Sequence, residues 1–210
     1  MGKEGLTELL VAIERLKGSK VKEEIDGRIA ELKQCPDIFS ELCFCILTAN
    51  YTAEGGIRVQ QEIGAGFLEL SESALASRLK QLGYRFPNIR AKYIVEARKH
   101  LAALGKIAKW DGKKAREWLV ENVTGIGYKE ASHFLRNIGH EDVAIIDFHI
   151  INLLARYGLI GKTMNKTNSL NKKRYLEIEK TLALVAKRAN LTLGELDLYL
   201  WYMETGKILK

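Results

Sequence analysis

Lys129 and Asp147 are the two residues whose types and placement can do chemistry together. Lys129 follows a Gly125-Ile126-Gly127 turn in Trp118-Leu-Val-Glu-Asn-Val-Thr-Gly-Ile-Gly-Tyr-Lys129-Glu-Ala-Ser-His-Phe-Leu135. Asp147 stands eighteen positions later, in Ala144-Ile-Ile-Asp147-Phe-His149. An amine can attack an electrophilic sugar carbon, and a carboxylate can stabilise the positive charge that develops there. Placed beside a clamp for the DNA backbone, the pair has the parts needed to cut a base from its sugar. The turn supplies the clamp. Its glycines permit a tight turn with positive φ, and successive N–H groups at the start of a helix form a nest for a phosphate oxygen. Gly125, Gly127 and the Lys129 amide are the expected donors. A Gly-x-Gly between helices is a weak signal alone. It becomes fairly specific with Trp118, Leu119 and Val123 before it and Ala131, Phe134 and Leu135 after it.

Each of the two residues has a plainer reading. A lysine at a helix start near DNA is usually a phosphate contact. To act as a nucleophile it must fall several units below the ordinary lysine pKa of about 10.4, each unit representing ~1.4 kcal/mol. The positive end of a helix and burial in a pocket both push in that direction. Asp147 directly precedes the helical pattern Phe148-His149-Ile-Ile-Asn-Leu-Leu, so it is a natural N-cap. A cap is anionic and held in place, which suits both a catalytic carboxylate and a carboxylate that does nothing else.

The elements that must position these residues are helical. Leu6, Leu9, Leu10, Ile13 and Leu16 form one apolar stripe, and Ile25, Ile29 and Leu32 another. The spacing predicts further helices over 38–50, 56–65, 72–82, 88–103, 112–121, 128–138, 148–157, 172–189 and 193–204. No segment alternates with the two-residue period of a half-buried strand, and glycines punctuate the gaps. Pro87 stands at the expected start of the helix that follows it, and 161–173 is polar and lysine-rich, as an exposed loop would be. An all-α chain of ten or eleven helices follows.

The 210 residues can bury a sizeable core, and the net charge of +7 suits a polyanionic partner. No window approaches the ~18 apolar residues of a membrane span, and the N-terminus lacks the apolar run of a signal peptide. Leu6 stands where N-myristoylation would want Ser or Thr. A cytoplasmic protein is expected. Cys35, Cys43 and Cys45 are odd in number and their spacing fits neither a disulfide framework nor a zinc site. Cys43 and Cys45 read as small buried hydrophobes.

Several longer motifs carry a family resemblance. Glu41-Leu-Cys-Phe-Cys-Ile-Leu-Thr-Ala-Asn50-Tyr-Thr-Ala-Glu-Gly-Gly56, the Gly125–Asn137 segment, Ala144-Ile-Ile-Asp147-x-His149, Leu196-Asp-Leu-Tyr-Leu-Trp201-Tyr and the terminal Gly206-Lys-Ile-Leu-Lys210 resemble the archaeal-type 8-oxoguanine DNA glycosylase/AP lyase family. That family lies within the helix-hairpin-helix glycosylases. Phe148 departs from it, since a basic residue commonly stands there. The four C-terminal cysteines of the iron–sulfur branch are missing, so no cluster, and no other metal or cofactor, is implied.

The resemblance implies an all-α, two-domain helix-hairpin-helix DNA glycosylase architecture. Residues 1–36 and 142–210 would form one domain and 37–141 the other, with a DNA groove between them. It implies an enzyme that extrudes 8-oxoguanine from double-stranded DNA, and a monomer is the default for a DNA clamp of this size. Lys129 would attack C1′ and form a Schiff base, β-elimination would then cut the strand, and Asp147 would assist both the sugar cation and the amine.

Further roles follow from helical spacing and the resemblance together, several of them beside an ordinary alternative. Trp201 would stack on the extruded base, or sit as a core tryptophan of its helix. Asp197 would accept from the guanine N1–H and N2–H₂, or face water. Lys210 would close the chain end over the base. His133, four residues after Lys129, would line the pocket or sit in the core. Asn50 would fill the vacated stack, Phe86 would wedge beside it, and His149 would touch a phosphate. Arg85, Arg90, Lys92, Lys113 and Lys114 would track the backbone or simply be solvated. The sequence does not identify the acceptor for the lesion's N7–H. Two other functions fit parts of the pattern: a non-catalytic hairpin module that binds DNA, and a glycosylase for another oxidised base.

Overall fold

A computed structural model describes residues 3–49, 51–161 and 170–210. Asn50 and most of the lysine-rich segment 161–173 lie outside these. The described residues form helices and no strand. The chain divides into two compact units: a terminal unit of Met1–Lys33 with Gly139–Lys210, and a central unit of Gln34–Ile138.

The terminal unit contains α1 (Lys3–Lys17), α2 (Lys20–Lys33), α11 (Phe148–Arg156), α12 (Lys172–Ala189) and α13 (Leu193–Thr205). The stripe on α2 buries Val21, Ile25 and Ile29 against Leu198 and Tyr199 of α13. Local chemistry fixes the helix ends. Asn171 and Thr192 cap α12 and α13, with Glu195 returning a bond to the Thr192 N–H at 2.7 Å. Asn190 (φ 52°) and Gly206 (φ 69°) end the same helices in the left-handed region. Lys17 donates to the Ala189 carbonyl at 2.8 Å, a cation satisfying the negative end of α12.

The central unit is built around α3 (Ile38–Thr48), on which Phe39 and every residue from Glu41 to Thr48 are buried. A helix apolar on all sides must be surrounded. Here α4 (Ala53–Ile63), α7 (Pro87–Ala97), α8 (Leu101–Ile107) and α10 (Tyr128–Asn137) pack on it. Its one buried carboxylate, Glu41, accepts from Asn137 Nδ2 at 2.6 Å and Gln60 Nε2 at 3.3 Å, which ties α3 to α10 and α4. Cys43 and Cys45 are fully buried, and burial pushes the Cys43 thiol well above its usual range, as suits a packing residue.

Two elements differ from the periodicity. The expected helix 88–103 breaks into α7, a 3-10 turn Arg98–His100 and α8. Arg98 donates to the Phe67 and Leu70 carbonyls at 2.8 and 2.7 Å, and this clasp holds the junction. Three tighter residues change the apolar phase too little to be visible in sequence. The other is α5 (Gly66–Glu69), a single turn too short to show a period; α6 (Glu72–Gln81) and α9 (Gly112–Asn122) complete the unit.

Candidate active site

In the central unit, α9 and α10 flank the Val123–Gly127 turn. Arg116 locks the two helices together. It is 1% exposed, donates to Ser132 Oγ at 3.2 Å, and places its guanidinium 5.3 Å from the Tyr128 ring centroid. Gly125 has φ +84°, and a Cβ there would lie 2.2 Å from Tyr93 Cδ2, so both conformation and space require glycine. Gly127 differs from the expectation of positive φ. It is the N-cap of α10, with extended φ −103° and ψ −172°, because a cap precedes the helical dihedrals. Its N–H donates to Glu130 Oε2 at 3.3 Å, so this donor already faces a carboxylate of its own helix. Lys129 is half-buried as the second residue of α10, where the backbone N–H has no acceptor within the helix. His133 is 7% exposed and lies edge-on to Phe44, with ring centroids 5.5 Å apart, in the core of the unit.

The segment that supports the turn also carries an apolar tip. Phe86 and Ile89 are 36% and 43% exposed at the start of α7, with the Arg85 guanidinium 4.9 Å from the Phe86 ring centroid. Spaced by three, they share one helix face. Arg90 is not on the surface, contrary to its reading as a backbone contact. It is 8% exposed and donates to the Ala49 carbonyl at 3.1 Å, and Tyr84 donates to the Leu47 carbonyl at 2.6 Å. These bonds satisfy the C-terminal end of α3, where orphan carbonyls and the helix dipole favour a cation. The Arg90 guanidinium also lies 5.6 Å from the Tyr93 ring, the ring that abuts Gly125. Lys92, Lys113 and Lys114 are exposed, and Lys114 lies over Trp110.

In the terminal unit, Val143–Ile146 runs buried and outside any helix, so its backbone groups need partners. Two side chains of α12 supply them. The Ala144 N–H donates to Glu179 Oε1 at 2.9 Å. The Tyr175 hydroxyl donates to the Ala144 carbonyl at 2.6 Å and accepts from the Ile146 N–H at 3.2 Å. This clamp delivers the chain to Asp147, which is half-buried. Asp147 is the N-cap of α11: its Oδ1 accepts from the Ile150 N–H at 3.0 Å, a role that leaves Oδ2 for other work. His149, the second residue of α11, meets Phe148 and Trp201 edge-to-face, each at a centroid distance of 5.1 Å. Asp197, one turn before Trp201, borders an apolar recess with Ala144, Ile150, Leu182 and Leu196. Lys210 is half-buried.

The terminal unit thus gathers Asp147, His149 and Trp201 on α11 and α13, while Lys129, His133 and the hairpin belong to the central unit. Asn50 lies outside the described residues. Tyr175, Glu179, Tyr93 and Ile89 were not legible as site residues. The available signal for the first two was a polar pair, four apart, within the apolar stripe Tyr175, Ile178, Leu182 and Val185.

A family model described as 8-oxoguanine DNA glycosylase matches residues 22–191. A Korarchaeum cryptofilum protein named 8-oxoguanine DNA glycosylase/AP lyase is 50% identical, with the alignment covering 98% of this chain and 100% of that one. Among solved structures, the Methanocaldococcus jannaschii 8-oxoguanine glycosylase/lyase in complex with a 15mer DNA containing 8-oxoguanine superposes with a TM-score of 0.92. It is 50% identical and covers 97% of this chain and 100% of that one. The 8-oxoguanine DNA glycosylase of Thermotoga maritima superposes at 0.91, with 46% identity over 98% of this chain and 100% of that one.

Proposed function

The chain belongs to the 8-oxoguanine DNA glycosylase family, and from that premise we propose that it is a bifunctional DNA N-glycosylase and AP lyase acting on 8-oxoguanine in double-stranded DNA. The observation that carries this reading is a half-buried lysine placed just after the Gly125-Ile126-Gly127 turn, as the second residue of the helix that the turn opens. The Lys129 amine attacks C1′ of the extruded nucleotide. The N9–C1′ bond breaks and its electron pair leaves with the base, which takes up a proton. As the C1′–O4′ bond breaks and the sugar ring opens, O4′ takes up one proton and the amine gives up both of its own, which leaves the Schiff base. Loss of a proton from C2′ then expels the 3′ phosphate oxygen, which cuts the strand by β-elimination. The Asp147 carboxylate stabilises the sugar cation and receives a proton from the amine.

The remaining roles belong to the same proposal. The Gly125 and Gly127 amides hold a phosphate, with Glu130 yielding the Gly127 N–H. Trp201, Asp197 and Lys210 receive the base, and His149 stands beside them. Asn50 fills the gap in the duplex, and Phe86 wedges beside it with the help of Ile89. His133 backs the Lys129 face of α10 from the core. The protein acts as a monomer inside the cell, without a metal or cofactor.

Borohydride reduction on duplexes with 8-oxoguanine opposite each of the four bases tests the reading. A covalent enzyme–DNA adduct is expected. Binding without an adduct would leave a non-catalytic hairpin module, and preferred cutting at an oxidised pyrimidine would replace the substrate.

A further inference from the structure

We infer that His149 is a positioning residue for the Trp201 indole. The inference rests on the proposal that Trp201 stacks on the extruded base. The imidazole is engaged on two sides. Its centroid lies 5.1 Å from that of Trp201 with the planes at 83°, and 5.1 Å from that of Phe148 with the planes at 64°. Edge-to-face contacts of this kind constrain ring orientation through the quadrupole of each π-system. Phe148 and His149 are the first two residues of α11, and Asp147 caps it through the Ile150 N–H. One helical turn therefore fixes the carboxylate and, through the imidazole, the plane of the indole on α13. The sugar-facing and base-facing groups of the terminal unit are held in register by this train of rings.

Two substitutions separate the alternatives. His149→Phe keeps a ring and discards the hydrogen-bond donor. His149→Gln keeps a donor and discards the ring. The full-length variants are assayed for excision of 8-oxoguanine, for incision of a preformed abasic duplex, which has no base to stack, and for affinity to undamaged duplex.

His149→Gln is expected to slow excision by about tenfold or more, the scale of a small misplacement at a reacting centre, with abasic incision and duplex affinity little changed. His149→Phe is expected to restore excision. The opposite pattern, in which Gln preserves duplex affinity and Phe loses it, would make His149 a phosphate ligand and overturn the inference. Equal excision by both variants and the parent would overturn it as well.

A second arm does not depend on the reaction. Trp201 emission, read without DNA in a Trp110→Phe/Trp118→Phe background, should change with Gln and stay with Phe. A parent protein that fails to excise 8-oxoguanine while this arm behaves as expected would sink the proposed substrate and leave the ring contact standing.

Discussion

Lys129 and Asp147 can be separated experimentally because each has a neutral substitute that keeps its local structure. Glutamine at 129 preserves helix propensity and leaves the Gly125 clamp intact. Lys129→Gln is expected to abolish borohydride trapping while a gel-shift assay still shows duplex binding. An adduct in that variant would place the nucleophile elsewhere. Asparagine caps helices as well as aspartate does, so Asp147→Asn should keep the bond to Ile150 and change Tm little. Losing the charge should slow base release by about 10²-fold or more in single-turnover assays, the scale of one electrostatic stabiliser. Near-normal excision would reduce Asp147 to a cap. Both residues were legible in sequence because turn glycines and cap positions are local signals. The Tyr175 hydroxyl was not, since its two partners lie 29 and 31 positions away and only tertiary packing brings them together.

At the scale of elements, two supports are testable. Gly125→Ala places a Cβ in the left-handed region and against Tyr93. It should cost about 1–2 kcal/mol in denaturant unfolding for the backbone alone and weaken duplex affinity. Unchanged affinity would remove the turn from the DNA contact. Tyr175→Phe removes the donor to Ala144 and the acceptor for Ile146, leaving two buried backbone groups unsatisfied. A loss of about 1–3 kcal/mol is expected, with slower excision because the segment leading to Asp147 loosens. A variant of parental stability and activity would show that the clamp does not matter. The pattern located nearly every helix, because amphipathic spacing survives folding. It missed the break between α7 and α8, where Arg98 bonds carbonyls far away in sequence, and it mistook Arg90 for a surface residue. An arginine that satisfies a helix end and one that faces DNA look alike in a chain with no partners drawn.

At the scale of the whole molecule, charge and class were readable from composition, and no helix among the described residues is long and apolar enough to cross a membrane. The two-unit division is not a compositional property. It arises because the apolar stripe of α2 finds its partner on α13, across more than a hundred intervening residues. The stem of that excursion is tight. Gly139 sits at φ +97° with its Cβ direction 3.2 Å from Lys33 Cα, so the chain leaves and re-enters the terminal unit at one spot. The central unit therefore has its full sequence once residue 138 is made, whereas α1 and α2 must wait for α11 to α13. Pulse-labelled hydrogen exchange during refolding should show amides of α3 and α10 protected before those of α2; the reverse order would count against this. On the ribosome the consequence bears on the proposed chemistry. A nascent chain that stops after residue 129 and before residue 147 holds Lys129 but not Asp147, so under the proposed mechanism it lacks the carboxylate assigned to the sugar cation.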